Sequence, residues 1–152
     1  MSDAVTFPDT TPRFGLPLLH AGQAQKEAFV NEVFLTTDAL LHCAIRGETS
    51  APPSDSQDGD AWLVAAAATG EWAAHSQRLA VRQNNAWRFF DPVEGMRVFD
   101  VSRGCEIRFR QSWIKATLPV EPLGGSIVDG EARAAINDLV SVLQALGIVP
   151  SV

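Results

Sequence analysis

The sequence has no tyrosine, two cysteines, three histidines and no long apolar run. None of the histidines His20, His42 and His75 has a Cys, Asp or Glu at metal-ligand spacing, so no metal is predicted. Cys43 and Cys105 leave a disulfide open but favour two buried free thiols. No window approaches the roughly 18 apolar residues of a membrane helix, so membrane insertion is not expected. The first residues lack a signal peptide's basic and apolar segments, which predicts synthesis in a bacterial host cytoplasm.

Motifs that carry chemistry are equally scarce. No Gly-rich phosphate loop and no serine in a nucleophile elbow is present. Asp55, Asp58 and Asp60 do not match a calcium-binding EF-hand loop, which needs a Glu at its twelfth position. The net charge is −6 without a Lys/Arg cluster, and an acidic surface repels phosphate backbones. We therefore expect no enzyme, no cofactor and no nucleic-acid partner.

The clearest positive signal is a predicted helix at 129–147. Asp129 is a suitable N-cap and Gly147 is well placed to end the helix. Apolar residues recur along it in steps of four, three, four and three, which is the heptad spacing of helices that pack on identical helices. This spacing predicts a coiled-coil-like trimerisation helix whose contact residues are Ala132, Ile136, Leu139, Leu143 and Leu146.

Residues 1–20 are predicted to form an extended anchoring arm. Pro8, Pro12 and Pro17 favour extended backbone. A disordered terminus is the alternative, but the arm carries many large apolar groups for a solvated tail. We expect it to dock on a neighbouring subunit or a larger assembly through Phe7, Phe14, Leu16 and Leu18.

Between these ends the periodicity changes along the chain. Residues 21–46 have helical spacing with a possible break near Thr36, residues 47–60 read as a loop, and residues 119–128 as a linker. The stretch 61–118 predicts a small antiparallel β module of successive hairpins. Its expected strands are 61–65, 78–83, 86–90, 97–100, 106–110 and 112–117.

Two stretches of the β module form a weak internal repeat. LAVRQNNAW (79–87) and EIRFRQSW (106–113) each consist of a β run, a short polar turn and a Trp in the return strand. Two copies do not make a solenoid. They predict two similar hairpins.

All four tryptophans fall in the β module. Exposed aromatic faces can stack on sugar rings, so Trp72, Trp62, Trp87 and Trp113 are candidate glycan-binding residues. The alternative is that they fill the core of a small sheet, which suits the three that lie within predicted strands. Trp72 follows a turn and is expected to be the most exposed.

Much of the chain resembles an uncharacterised protein family. The resemblance lies in the stretches 11–32, which contains AGQAQKE, and 59–95, which contains GDAWLV and ATGEWA, and in 98–100 and Trp113. The resemblance covers nearly the whole chain. The family is a domain of unknown function found in phages, prophages and gene transfer agents of alphaproteobacteria. Its members are associated with virion fibres or head spikes, and some with contact to the host capsule. The chain departs from the family pattern at Met96, where a Trp is common, and at 110–112, where Arg-Gln-Ser replaces a small Asp/Asn-Gly turn. Because the family has no assigned reaction, the resemblance implies no catalytic residue.

The sequence as a whole predicts an α+β homotrimer with an N-terminal arm and helix, a small antiparallel β region and a C-terminal coiled-coil-like helix. The resemblance implies a virion structural protein, a fibre or spike subunit that meets other virion proteins through its arm. It also implies contact with host capsular polysaccharide. The alternatives are a dedicated carbohydrate-binding receptor-recognition module and a capsule-degrading enzyme.

Overall fold

A computed structural model of the chain describes residues 10–19, 26–120 and 129–151. This part of the chain contains two α-helices and eight strands, which form two four-stranded mixed sheets. The predicted α+β class, with a helix towards each end, is confirmed. In chain order the elements are α1 (Lys26–Leu40), β1 (Ala44–Ile45), β2 (Glu48–Thr49), β3 (Ala61–Val64), a 3-10 turn (Gly70–Trp72), β4 (Leu79–Gln83), β5 (Ala86–Phe90), β6 (Arg97–Asp100), β7 (Cys105–Arg110), β8 (Ser112–Lys115) and α2 (Gly130–Ala145).

The strands belong to two compact units. The first unit comprises the described residues of Met1–Cys43 together with Glu48–Asp91, and the second comprises those of Ala44–Gly47 together with Pro92–Val152. The structure therefore divides the predicted 61–118 module after Asp91. It does not separate the N-terminal helix from the strands at the 47–60 loop. Of the predicted linker, 119–120 are described and 121–128 lie outside the described residues.

The two sheets share one plan. Their strand orders are β2-β3-β4-β5 and β1-β6-β7-β8, and in each a two-residue strand pairs in parallel with an antiparallel three-stranded meander. The expectation of purely antiparallel sheets is wrong for these two pairings, because strands of two residues are too short to show a period of two. The six longer strands lie where the sequence places them.

The weak sequence repeat corresponds to equivalent hairpins of the two sheets, β4–β5 and β7–β8. Asn84 and Asn85 both have positive φ, at 50° and 59°. Two residues with positive φ are what a type I′ turn requires. The second hairpin turns at Gln111, whose φ is 59°. The prediction of two hairpins is confirmed.

In the first unit, α1 covers one face of its sheet. Leu35 and Ala39 of α1 are buried, as are Leu63, Leu79 and Val81 on the strands. The side chain of Gln83 is buried as well, and its Nε2 donates to the carbonyl oxygen of Leu35 at 2.8 Å. The helix runs unbroken past Thr36, so the possible break there does not occur.

In the second unit, one face of the sheet forms a core with Ile45, Val98, Cys105 and Ile107 buried. The segment after α2 joins the sheet, since the N–H of Glu106 donates to the carbonyl oxygen of Gly147 at 2.7 Å. Lys115, the last residue of β8, pairs with Ile107, so this bond continues the edge of β7 beyond the end of β8. The C-terminal residues thus attach α2 to the sheet by one end.

Sequence signals at the ends of α2 are confirmed. Asp129 is the N-cap, and its carboxylate accepts from the N–H of Ala132 at 2.9 Å. At the other end Gly147 has a φ of 67°, and the N–H of Ile148 donates to the carbonyl oxygen of Leu143 at 2.9 Å. Together with the bond from the N–H of Gly147 to Gln144, this is a Schellman motif. No helix in the described ranges is long and apolar enough to cross a membrane.

Candidate functional site

Three of the four tryptophans meet on one face of the first sheet. Gln83 points to α1, so alternation along β4 places Ala80 and Arg82 on the opposite face. Ala80 pairs with Trp62 on β3, and Arg82 pairs with Trp87 on β5. The ring centroids of Trp62 and Trp87 are 5.7 Å apart, in an edge-to-face arrangement that aromatic pairs favour.

Trp72 completes this cluster from the 3-10 turn. Its ring packs edge-on against Trp87 with centroids 4.9 Å apart, and its exposed fraction is 0%. The prediction that Trp72 is the most exposed tryptophan is wrong, because the turn directs the indole back onto the sheet over Val64 and Ala80. The indole nitrogen has no hydrogen-bond partner among the described residues. A sugar ring cannot reach Trp72 in this structure.

Trp62 and Trp87 are half-buried and pack on the edge of that core. Trp87 also lines an open groove of about 680 Å³, and the guanidinium of Arg82 lies over its ring at 5.2 Å from the centroid. Glu71 and Asn85 add a carboxylate and an amide to the lining. The groove is lined by Pro52, Pro53, Ser54, Ser56, Glu71, Arg82, Asn85, Ala86 and Trp87.

Trp113 lies in the other unit and is half-buried. It pairs across the hairpin with Phe109, with ring centroids 5.4 Å apart. Of the four glycan-binding candidates, Trp72 is buried, Trp87 lines the groove, Trp62 packs against Trp87 without lining the groove, and Trp113 belongs to the other unit.

The described part of the predicted arm is attached to α1 of the same chain. The carboxylate of the buried Asp38 accepts from the hydroxyl of Thr11 at 2.7 Å and from the backbone N–H groups of Arg13 and Phe14 at 3.1 and 2.7 Å. The guanidinium of Arg13 donates to carbonyl oxygens at the end of α1, including Ala39 and His42. Such donation satisfies carbonyls that have no partner inside the helix.

The four arm residues singled out by the sequence have different environments. Leu18 is buried in its own unit and is not accessible to a neighbouring molecule, whereas Leu16 is half-buried. Phe14 is exposed. Phe7 lies outside the described residues, and the anchoring role of residues 1–20 stays a prediction.

The predicted contact helix α2 has no buried side chain. Ile136, Leu139 and Leu146 are exposed, with exposed fractions of 45%, 63% and 67%. Ala132 is also exposed, whereas Leu143 is half-buried. The structure thus places four of the five predicted contact residues at the surface, and the oligomeric state stays a prediction.

Both cysteines are buried and free, as expected from the sequence. Burial raises the pKa of the Cys43 thiol to about 11, although the charge of Arg13 opposes the shift. A thiol with such a pKa is protonated at neutral pH and is a poor nucleophile. Within the residues that the structure describes, no group of three His, Cys, Asp or Glu side chains could hold a metal ion. Asp58 instead braces the β4–β5 turn, where it accepts from the N–H of Asn85 at 3.1 Å.

The fold is thus an α+β protein with two units that repeat one four-stranded sheet plan. The family model described as "Protein of unknown function (DUF2793)" matches residues 30–114, which is more than half of the 152 residues. The chain belongs to this family of proteins of unknown function. The matched segment spans most of α1 and both sheets but not α2. No curated protein matches the chain.

Proposed function

We propose that the chain is a homo-oligomeric structural protein, a fibre or spike subunit of a phage or phage-like particle, whose copies associate through α2. The observation that carries this proposal is an amphipathic helix with defined caps and no buried side chain. A helix of 16 residues is about 24 Å long and is marginal in water without packing partners. Self-association supplies those partners.

Three copies suit the helix better than two. A single helix pair of this length offers much less surface than the roughly 800 Å² per partner of a standard interface. Val142 also lies beside the predicted seam and is exposed, which widens the apolar surface. A closed three-fold arrangement places each helix against two others and uses that width. The place in a virion is supported by the resemblance of the stretches 11–32 and 59–95 to phage-associated sequences.

The decisive variant is Leu139→Asp, because Leu139 is the most exposed member of the central part of the seam. Burial of a leucine stabilises by about 1.5–3 kcal/mol per copy, so the variant should be monomeric where the parent protein is trimeric. Ala134→Asp is the matched control, since Ala134 is exposed on the other side of the helix. The measurement is molar mass by light scattering. A Leu139→Asp protein that remains trimeric would sink the proposal.

A second candidate function is binding of a surface polysaccharide at the groove beside Trp87. The half-buried ring offers an apolar surface, and Arg82, Glu71 and Asn85 offer charged and amide hydrogen-bonding groups around it. This combination of an aromatic platform with polar groups suits carbohydrate recognition. Calorimetric titration of the protein with capsular oligosaccharides tests it.

In that titration Trp87→Ala should abolish the heat of binding, and Trp113→Ala, a half-buried tryptophan in the other unit, should retain it. Equal binding by both variants would refute the groove assignment. The same protein preparations test the enzyme alternative. A depolymerase would lower the viscosity of a capsular polysaccharide solution with time.

A further inference from the structure

One flank of α2 lies beside another segment of its own unit. Ile136 and Val140 line a groove of about 190 Å³ together with Leu118 and Val120, which belong to the extended segment after β8. Val140 and Leu143 are half-buried. This flank of α2 therefore faces its own unit.

The opposite flank is free among the described residues. Val142 has an exposed fraction of 54%, between Leu139 at 63% and Leu146 at 67%. Ala135, one turn before Leu139, is also exposed. These four residues recur in steps of four, three and four, which is again a heptad spacing. We name Ala135, Leu139, Val142 and Leu146 the outer strip.

We infer that copies of this chain associate through the outer strip, so that Val142 replaces Ile136 and Leu143 as a contact residue. This inference rests on the proposed function and specifies its interface. Compared with the predicted seam, the contact face is rotated around the helix axis by about 50°. This is half of the 100° that separates successive residues in a helix with 3.6 residues per turn.

The occupant of the outer strip is a second copy of α2. A heptad spacing matches another helix at a small crossing angle, whereas a sheet or an irregular surface imposes no such period. The charged residues of α2 are Glu131, Arg133 and Asp138, and none belongs to the outer strip. The strip itself therefore contains no charged side chain. The apolar surface also continues past the helix end to Ile148, which is exposed.

Two matched variants distinguish the outer strip from the predicted seam. Val142→Asp alters the strip and Ile136→Asp alters the seam, and the two parent residues are β-branched with similar exposed fractions, 54% and 45%. Sedimentation velocity over a range of concentrations measures the dissociation constant. We expect Val142→Asp to raise it at least tenfold, which corresponds to 1.4 kcal/mol, and Ile136→Asp and Ala134→Asp to change it by much less.

The outcomes separate the inference from the proposed function. Dissociation by Ile136→Asp without an effect of Val142→Asp, or equal dissociation by both, would overturn the outer strip while self-association through α2 stands. A parent protein that is monomeric at every concentration would remove both. Folding is checked by tryptophan fluorescence, because Trp62, Trp72, Trp87 and Trp113 all lie outside α2.

Discussion

The two units share the same sheet plan, but they bury their helices to different extents. In the first unit, α1 has four buried residues, Asn31, Leu35, Asp38 and Ala39, whereas α2 in the second unit has none. Large exposed hydrophobic side chains follow the same division. In the described part of the first unit they are Phe14, Phe29, Val33 and Leu41, and in the second they are Val93, Phe99, Val101, Ile114, Leu118, Val120, Ile136, Leu139, Val142, Leu146 and Ile148.

This difference shows where each unit completes its core. The first unit covers one face of its sheet with α1 and part of the other face with the buried Trp72. In the second unit, the C-terminal residues attach α2 to the sheet, and the apolar strip of that helix is exposed to solvent. Exposed contiguous apolar surface of this kind marks interaction sites. We therefore expect the first unit to fold on its own contacts and the second to depend on neighbours.

The largest expected effect is at the centre of the self-contained unit. Trp72→Ala removes a fully buried side chain, and substitutions of this kind lower the free energy of unfolding by about 3–5 kcal/mol. Urea unfolding followed by circular dichroism measures the loss. The midpoint shift should not depend on protein concentration, and a strong dependence would contradict the comparison of the two units.

Asp38→Ala tests whether the arm belongs to the first unit. The substitution leaves the hydroxyl of Thr11 and the N–H groups of Arg13 and Phe14 without their acceptor. Hydrogen bonds to a charged group contribute roughly 1.5–3 kcal/mol, so cleavage by trypsin after Arg13 should become much faster. Thr37→Val, an exposed change on the same helix, is the control and should cleave at the parent rate.

Cys43 gives the first unit a dependence on alkaline pH. Burial raises its pKa from 9.0 to about 11, so the unfolded chain loses this proton at a lower pH than the folded protein. The contribution to stability is fully present below pH 9 and is lost as the pH rises towards 11, by about 2–3 kcal/mol in total. Unfolding free energies at a series of pH values should show this decline, and Cys43→Ala should flatten it.

The smallest effect concerns the cap of α2. Asp129→Ala removes the acceptor of the Ala132 N–H and costs about 1 kcal/mol of helix stability. Because α2 is expected to be stable only in the oligomer, the loss should appear as weaker association at low concentration. Unchanged association across the concentration range would argue that α2 folds independently of its neighbours.

Much of the fold follows from local sequence signals. The alternation at 106–110 and the two polar hairpin turns predict β7 and both hairpins, and Asp129 with Gly147 predicts the ends of α2. Local signals failed where the answer depends on distant contacts. β1 and β2 are too short for a period, and Asp38 resembles a helix cap in sequence although its carboxylate holds the arm instead.

The candidate sites divide in the same way. By itself the sequence determined that α2 carries a heptad of apolar residues and that the tryptophans cluster in the strand region, because periodicity and composition are properties of neighbouring residues. Tertiary structure alone decided that Trp72 is buried, that Trp87 borders a groove and that Val142 rather than Leu143 faces outwards. Burial depends on which distant segment covers a side chain, and the segment at 118–120 lies on one flank of α2 and not on the other.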